Sequence, residues 1–231
     1  MANRLIKLIG GNMLQKNTVE INTFRILKTL QEDENLLDFY LVGGTALALK
    51  IGHRRSIDLD LFSPVPFDTQ ALTEYLSKKY DFEKAYPDRI SKVILQGFIE
   101  DVRVDWVFNP YPFVVNPETI EGIRLYSLKD IAAMKLIAIA DTGTRLKDFV
   151  DIAYLSIIMS LNEMFDAFVK KYNVEKERAW LGLTYFSEID YTTKIDMIDA
   201  TYRFEPINER LHDMKRYPNK VFTDFPLKKN H

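Results

Sequence analysis

At 231 residues the chain is long enough to bury a sizeable core, as one large domain or two small ones. It has no cysteine, which excludes disulfides and thiolate metal sites, and its three histidines, His53, His212 and His231, are too few and scattered for a zinc centre; a metal here would sit on oxygen, as magnesium and manganese do. A net charge of -2 does not advertise a nucleic-acid binder, and no apolar run approaches the ~20 residues that span a bilayer. The opening stretch MANRLIKLIGGNML lacks the apolar segment of a signal peptide, so the expectation is a soluble, cytoplasmic protein with no membrane partner.

In chain order, NTVEINTFRILKTLQEDENL carries Phe24, Ile26, Leu27 and Leu30 at helical spacing. DFYLVG reads as a short strand ending at Gly43 and Gly44, and TALALKIG as a short helix of small residues. SIDLDLF alternates, with Ile57, Leu59 and Leu61 on one face and Asp58, Asp60 and Phe62 on the other, until Pro64 and Pro66 stop it. DTQALTEYLSKKY is an amphipathic helix with Asp68 as N-cap. RISKVILQGFI and VRVDWVFN form a hairpin around EDV, and GIRLYS a further strand. From Ser127 the pattern turns helical, through LKDIAAMKLIAIA, RLKDFVDIAYLSIIMSL, NEMFDAFVKKY, EKERAWLGLTYF and KIDMIDATYRF. The expectation is an α/β (α+β) N-terminal domain with a mixed sheet over residues 1–126, followed by a helical part over 127–231.

Asp58 and Asp60 point to one face of their expected strand, roughly 7 Å apart. Two carboxylates that close repel unless a cation sits between them. Magnesium suits the place, because it binds one or two protein carboxylates together with substrate phosphates. A solvent-facing strand with two exposed acids is the plain alternative. Asp105 stands alone among apolar residues in mid-strand, where aspartate is disfavoured. It either pairs with Arg103 or joins Asp58 and Asp60 as a third carboxylate for a two-metal site. Gly43 and Gly44 allow a sharp turn and close backbone approach to a ligand, and Thr45 follows at a helix start, where N–H groups bind phosphate.

Ser127 and Asp130 make an S-x-x-D cap before an apolar run in which Lys135 is the only polar residue. Its ammonium either snorkels to water or meets an anion, such as an acid of the next helix. In that next helix Arg145, Asp148 and Asp151 fall on one stripe, an ion-pair face or part of a site.

The run GGTALALKIGHRRSIDLDLF resembles the signature of the polymerase-β-type nucleotidyltransferase superfamily. With Lys135 and the following helix of Asp148 and Asp151, the chain resembles the AbiEii/AbiGii-type toxin family within it, over roughly residues 38–156. The resemblance implies a nucleotidyltransferase that moves a nucleoside monophosphate from an NTP to an acceptor, with tRNA 3′ ends among the acceptors of relatives. It implies Mg2+ or Mn2+ on Asp58, Asp60 and Asp105, and triphosphate on Gly43, Gly44 and Thr45. It also implies Lys135 at the triphosphate or behind the reacting site, and Asp148 or Asp151 as a base or its orienter. The expected setting is the toxin of a toxin–antitoxin or phage-defence pair, with a possible cognate antitoxin. Acceptors other than RNA, a small molecule or a protein hydroxyl, stay open, as does a non-catalytic nucleotide-sensing module. The triplet His53, Arg54, Arg55 beside the acidic strand either meets nucleotide, with Arg55 a candidate contact, or faces solvent; Lys170-Lys171, Lys215-Arg216 and Lys228-Lys229 read as solvated charge.

Overall fold

The computed structural model describes residues 13–228; most of the N-terminal stretch read above, Lys229 and His231 lie outside them. Helix α1 (Ile21–Gln31) leads to strand β1 (Tyr40–Leu41), which runs into helix α2 (Gly43–Ile51). Strand β2 (Leu59–Ser63) and helix α3 (Thr69–Tyr80) follow, then β3 (Glu83–Lys84), β4 (Ile94–Ile99), β5 (Val102–Phe108), β6 (Glu118–Ile120) and β7 (Ile123–Leu125). The rest of the described chain is helical: α4 (Leu128–Asp141), α5 (Leu146–Leu155), α6 (Leu161–Tyr172), α7 (Glu177–Gly182) and α8 (Phe204–Arg216).

The strands form one mixed sheet in the order β3-β4-β5-β2-β1-β7-β6. β2 lies antiparallel to β1 and parallel to β5, while β4 and β5 are an antiparallel hairpin. Alternation sorts the two faces. Leu59, Leu61, Val104 and Trp106 are fully buried on one face, where Phe39 meets the Trp106 ring edge-on at 4.9 Å. The opposite face carries Asp60, Asp105 and Gln96 in adjacent strands.

Helix α2 has buried residues all round, which places it inside the molecule, and α4 and α5 pack against it. Its one long cation, Lys50, pairs with Glu118. Ser127 caps α4 by accepting from Asp130 N–H at 3.0 Å. Asp130 is itself fully buried and accepts from Val114 N–H, Val115 N–H and the Lys171 ammonium, so one carboxylate ties a loop to two helices. Lys171 is therefore a core ion pair and not solvated charge.

Several sequence expectations change. The β2 ladder starts at Leu59, so Ile57 is exposed and Asp58 precedes the strand. Residues 89–93 form a loop and β4 begins only at Ile94, where the Ser91 hydroxyl accepts from Val93 and Ile94 N–H groups. EKERAWLGLTYF is helical only over Glu177–Gly182. KIDMIDATYRF is not a helix until Phe204; its start is extended and pairs with the basic triplet. Arg55 N–H donates to Asp196 O at 2.7 Å and Ile198 N–H to His53 O at 3.0 Å. These bonds take up the backbone groups a helix would have used, and Asp199 adopts a left-handed φ of 53°. Helix α8 follows at the end of that stretch, with Ile207, Leu211 and Met214 buried.

Candidate active site

The hairpin and the β2–β5 pairing build the centre of the site. Ile99 pairs with Val102 across the two-residue turn, so counting back places Gln96 opposite Asp105. On the other side of β5, Asp105 stands in register with Asp60. Next to Asp60 the chain reaches the start of α2, with Val42 N–H donating to Asp60 O at 2.9 Å. Gln96, Asp105, Asp60 and Gly43 therefore follow one another across the sheet.

Gly43 has φ +67°, and a Cβ there would collide with Asp60 Oδ2. The glycine is required twice, for its backbone angle and for the space that the carboxylate occupies. A side chain on Gly44 would meet Arg54 Nη2 at 2.5 Å. Both glycines lie within the first turn of α2 and do not form a separate loop before it. Thr45 is buried with its hydroxyl on Asp58 O, and Ser56 Oγ lies 2.8 Å away. It thus fixes the approach to the acidic strand from behind.

Asp60 makes no side-chain hydrogen bond or ion pair with any described residue. Burial pushes its carboxyl up to about 6; Asp105 and Asp58 add to this and Lys135 and Arg145 oppose it. Asp105 is held by Gln96 Nε2 at 2.7 Å and by Arg103 at 3.1 and 3.3 Å. Both sequence readings of Asp105 thus meet in one place: it pairs with Arg103 and it faces Asp60. Among the described residues no three acidic or histidine side chains form a ready-made cation site. The donors nevertheless suit a hard divalent ion: all are carboxylate oxygens, and Asp60 is a partnerless carboxyl strained by two others. Asp58 and Asp60, unpaired among the described residues, would supply carboxylates to such an ion, and Asp105 could once Arg103 releases it.

Behind this row lies a buried ion network. Lys135 Nζ is 2.6 Å from Asp148 Oδ1 and 2.9 Å from Asp151 Oδ2. Arg54 grips Asp151 with Nε at 2.7 Å and Nη2 at 2.9 Å, and His53 Nε2 lies 2.8 Å from the same carboxylate. All five groups are at most 5% exposed. Burial alone would raise the Asp151 carboxyl, but the charges of Arg54 and Lys135 overcome it and hold it well below the usual carboxylate range. Burial pulls His53 down against the pull of Asp151, which leaves it neutral near pH 7. So Lys135 meets the acids of the next helix, and Asp148 and Asp151 face inward and not along a solvated stripe. Lys135 still acts on Asp60 through its field.

Sequence reading left His53 and Arg54 without a role and passed over Gln96 and Lys147. The Gln96 position could have been counted from the hairpin turn. Arg54 meets Asp151 across 97 positions, for which the sequence carries no local signal. Arg55 is exposed and weakly paired with Asp196 at 3.4 Å. With Ser56, the half-buried Lys147 and Lys194 it lines a cavity of about 180 Å³ beside Asp58.

Comparison with known proteins decides the family. A family model described as nucleotidyl transferase AbiEii toxin, type IV TA system, matches residues 25–219. The chain belongs to the AbiEii nucleotidyltransferase toxin family. An uncharacterized protein of Aquifex aeolicus (strain VF5) is 34% identical over 158 residues, 65% of this chain and 75% of that protein. A crystal structure of a candidate nucleotidyltransferase from H. pylori shares the fold at TM-score 0.51 and 17% identity, covering 86% of this chain and 92% of the other. JHP933 from Helicobacter pylori is similar at TM-score 0.44 and 18% identity, over 88% and 95% of the two chains. As an AbiEii member the protein is a nucleotidyltransferase of a toxin–antitoxin family. No helix of the described residues is long and apolar enough to cross a membrane.

The raised Asp60 carboxyl gives a pH signature. In the metal-free fold the neutral acid is favoured, so its contribution to stability is full below pH 3.8 and is lost as pH rises through about 6. A divalent cation competes with that proton. We expect Mn2+ affinity, read by electron paramagnetic resonance, to be constant above pH 7 and to fall about tenfold per unit below pH 6. A flat profile from pH 5 to 8 would show that Asp60 is not a ligand.

Proposed function

We propose that this AbiEii protein uses magnesium or manganese to move a nucleoside monophosphate from an NTP to RNA, the tRNA 3′ hydroxyl losing its proton and bonding to the α-phosphorus as pyrophosphate leaves, as the toxin of a toxin–antitoxin or phage-defence pair with a cognate antitoxin. The observation that carries this reading is the register of Asp60 with Asp105 beside the positive-φ Gly43. Asp58, Asp60 and Asp105 would hold the metal. Bound there, divalent ions neutralise charge on the transferring phosphoryl group. The backbone N–H groups of Gly43 and Gly44 would take donor phosphate at the start of α2, and Arg55 would be a further contact to the donor. Thr45 and Lys135 support the site from within, through the Asp58 carbonyl and the acids of α5. Asp148 and Asp151 fix Lys135 and Arg54, which makes them orienting groups in this scheme.

The test is to incubate purified protein and Mg2+ with each labelled NTP and total RNA, and to follow label into RNA, protein and small molecules. Label in tRNA from one or more NTPs is the expected result. Label that appears only in protein or a small molecule would overturn the RNA acceptor, and absence of label from every acceptor would overturn the donor chemistry.

A further inference from the structure

A groove of about 330 Å³ lies at the first half of β4, between the start of α3 and the loop before the strand. Thr73, Tyr86, Arg89, Ser91 and Gln96 line it. Its size suits a single nucleoside, as ligand pockets begin near 300 Å³. It is tied to the reacting face by a short chain of contacts. Arg89 donates to Gln96 Oε1 at 3.4 Å, and the same amide donates to Asp105 at 2.7 Å. Tyr86 is half exposed, with the Arg89 guanidinium over its ring at 5.8 Å, and it lies within electrostatic reach of Arg103. Ile90, which is exposed, also lines it, together with the cation Lys84 and the acid Glu74.

Displacement at phosphorus needs the attacking and leaving oxygens roughly in line, on opposite sides of the transferred group. The sheet sets the order Gln96, Asp105, Asp60, Gly43. A donor whose phosphates rest at Gly43 occupies one end of that row. An acceptor hydroxyl arriving from the other end would come past Gln96, which lines the groove. A ring, a guanidinium and a carboxamide around a nucleoside-sized space, with Lys84 beside them, match an unpaired base and its backbone phosphate.

We propose that this groove is the acceptor site, in which an unpaired terminal nucleotide of RNA stacks on Tyr86 while Arg89 and Gln96 orient it toward Asp105. The proposal rests on the RNA-acceptor reading above. Its test is two-substrate kinetics on the full chain with labelled NTP and RNA. Tyr86→Ala should raise KM for RNA about tenfold or more, a typical loss for one stacked base, with KM for NTP within about twofold of wild type. Tyr86→Trp should restore the RNA KM, and Arg89→Ala should weaken binding of a fluorescent single-stranded RNA without NTP present. If wild-type protein labels RNA but Tyr86→Ala leaves its KM unchanged, the groove assignment is wrong while the acceptor class stands. If wild-type protein labels a protein hydroxyl and no RNA, both are overturned.

Discussion

Asp60→Asn is expected to reduce nucleotidyl transfer by about a thousandfold or more, equivalent to about 4 kcal/mol of transition-state stabilisation. The reason is local. Asp60 is central in the row of polar groups, beside Gly43 on one side and in register with Asp105 on the other, and it has no competing partner among the described residues. The amide keeps the shape and removes the charge that a divalent ion requires. The melting temperature at pH 7.5 should not fall, because the substitution replaces a carboxylate that burial and two neighbouring acids disfavour. Mn2+ affinity should drop with the activity. A variant that keeps a tenth of wild-type turnover would remove Asp60 from the metal site, and one that melts early would show the residue to be structural.

Asp151→Ala should act the other way round, on stability first. Its carboxylate accepts from Arg54 and His53 and pairs with Lys135, all of them buried. Removing one member of a buried ion network leaves uncompensated charge and typically costs about 3–5 kcal/mol. For a chain of this size that lowers the melting temperature by on the order of 10 °C. Replacing Arg54 as well, in Arg54→Met with Asp151→Leu, removes the orphaned guanidinium and should recover much of the loss, since apolar substitutes for a buried pair are often neutral. Thermal melts of the two variants decide the matter. If Asp151→Ala melts like wild type but is inactive, Asp151 meets substrate, and the orienting role assigned to it fails.

These two residues mark the limit of what can be read from one chain. Both are aspartates in apolar surroundings, and the sequence treats them alike as site candidates. The fold separates them: Asp60 makes no ion pair with any described residue, whereas Asp151 is closed in by three basic groups. Thr45 and Lys135 divide from Gly43 in the same way. All three belong to the motif, but Gly43 lies directly against the Asp60 carboxylate, while the other two spend their polar atoms inside the protein.

By itself the sequence determined the local features: α1, α3 and its Asp68 cap, the β4–β5 hairpin, the acidic strand, and the helices α4, α5 and α6, although α5 stops at Leu155, short of the expected SIIMSL end. Periodicity, capping and turn chemistry act over a few residues, so they can be read in a few residues. Together with the spacing of Gly43, Gly44, Asp58 and Asp60, they identify the family that the comparisons show. Only the tertiary structure decided how distant segments meet. KIDMIDATYRF carries apolar residues at helical spacing, yet its backbone bonds to His53–Arg55 hold its first half extended. Arg54 became an anchor because α5 delivers Asp151 to it from 97 residues away. Such pairings depend on burial and on the cost of leaving a charge or an N–H group alone. Those costs arise only once the chain has closed around the groups, so no single segment encodes them.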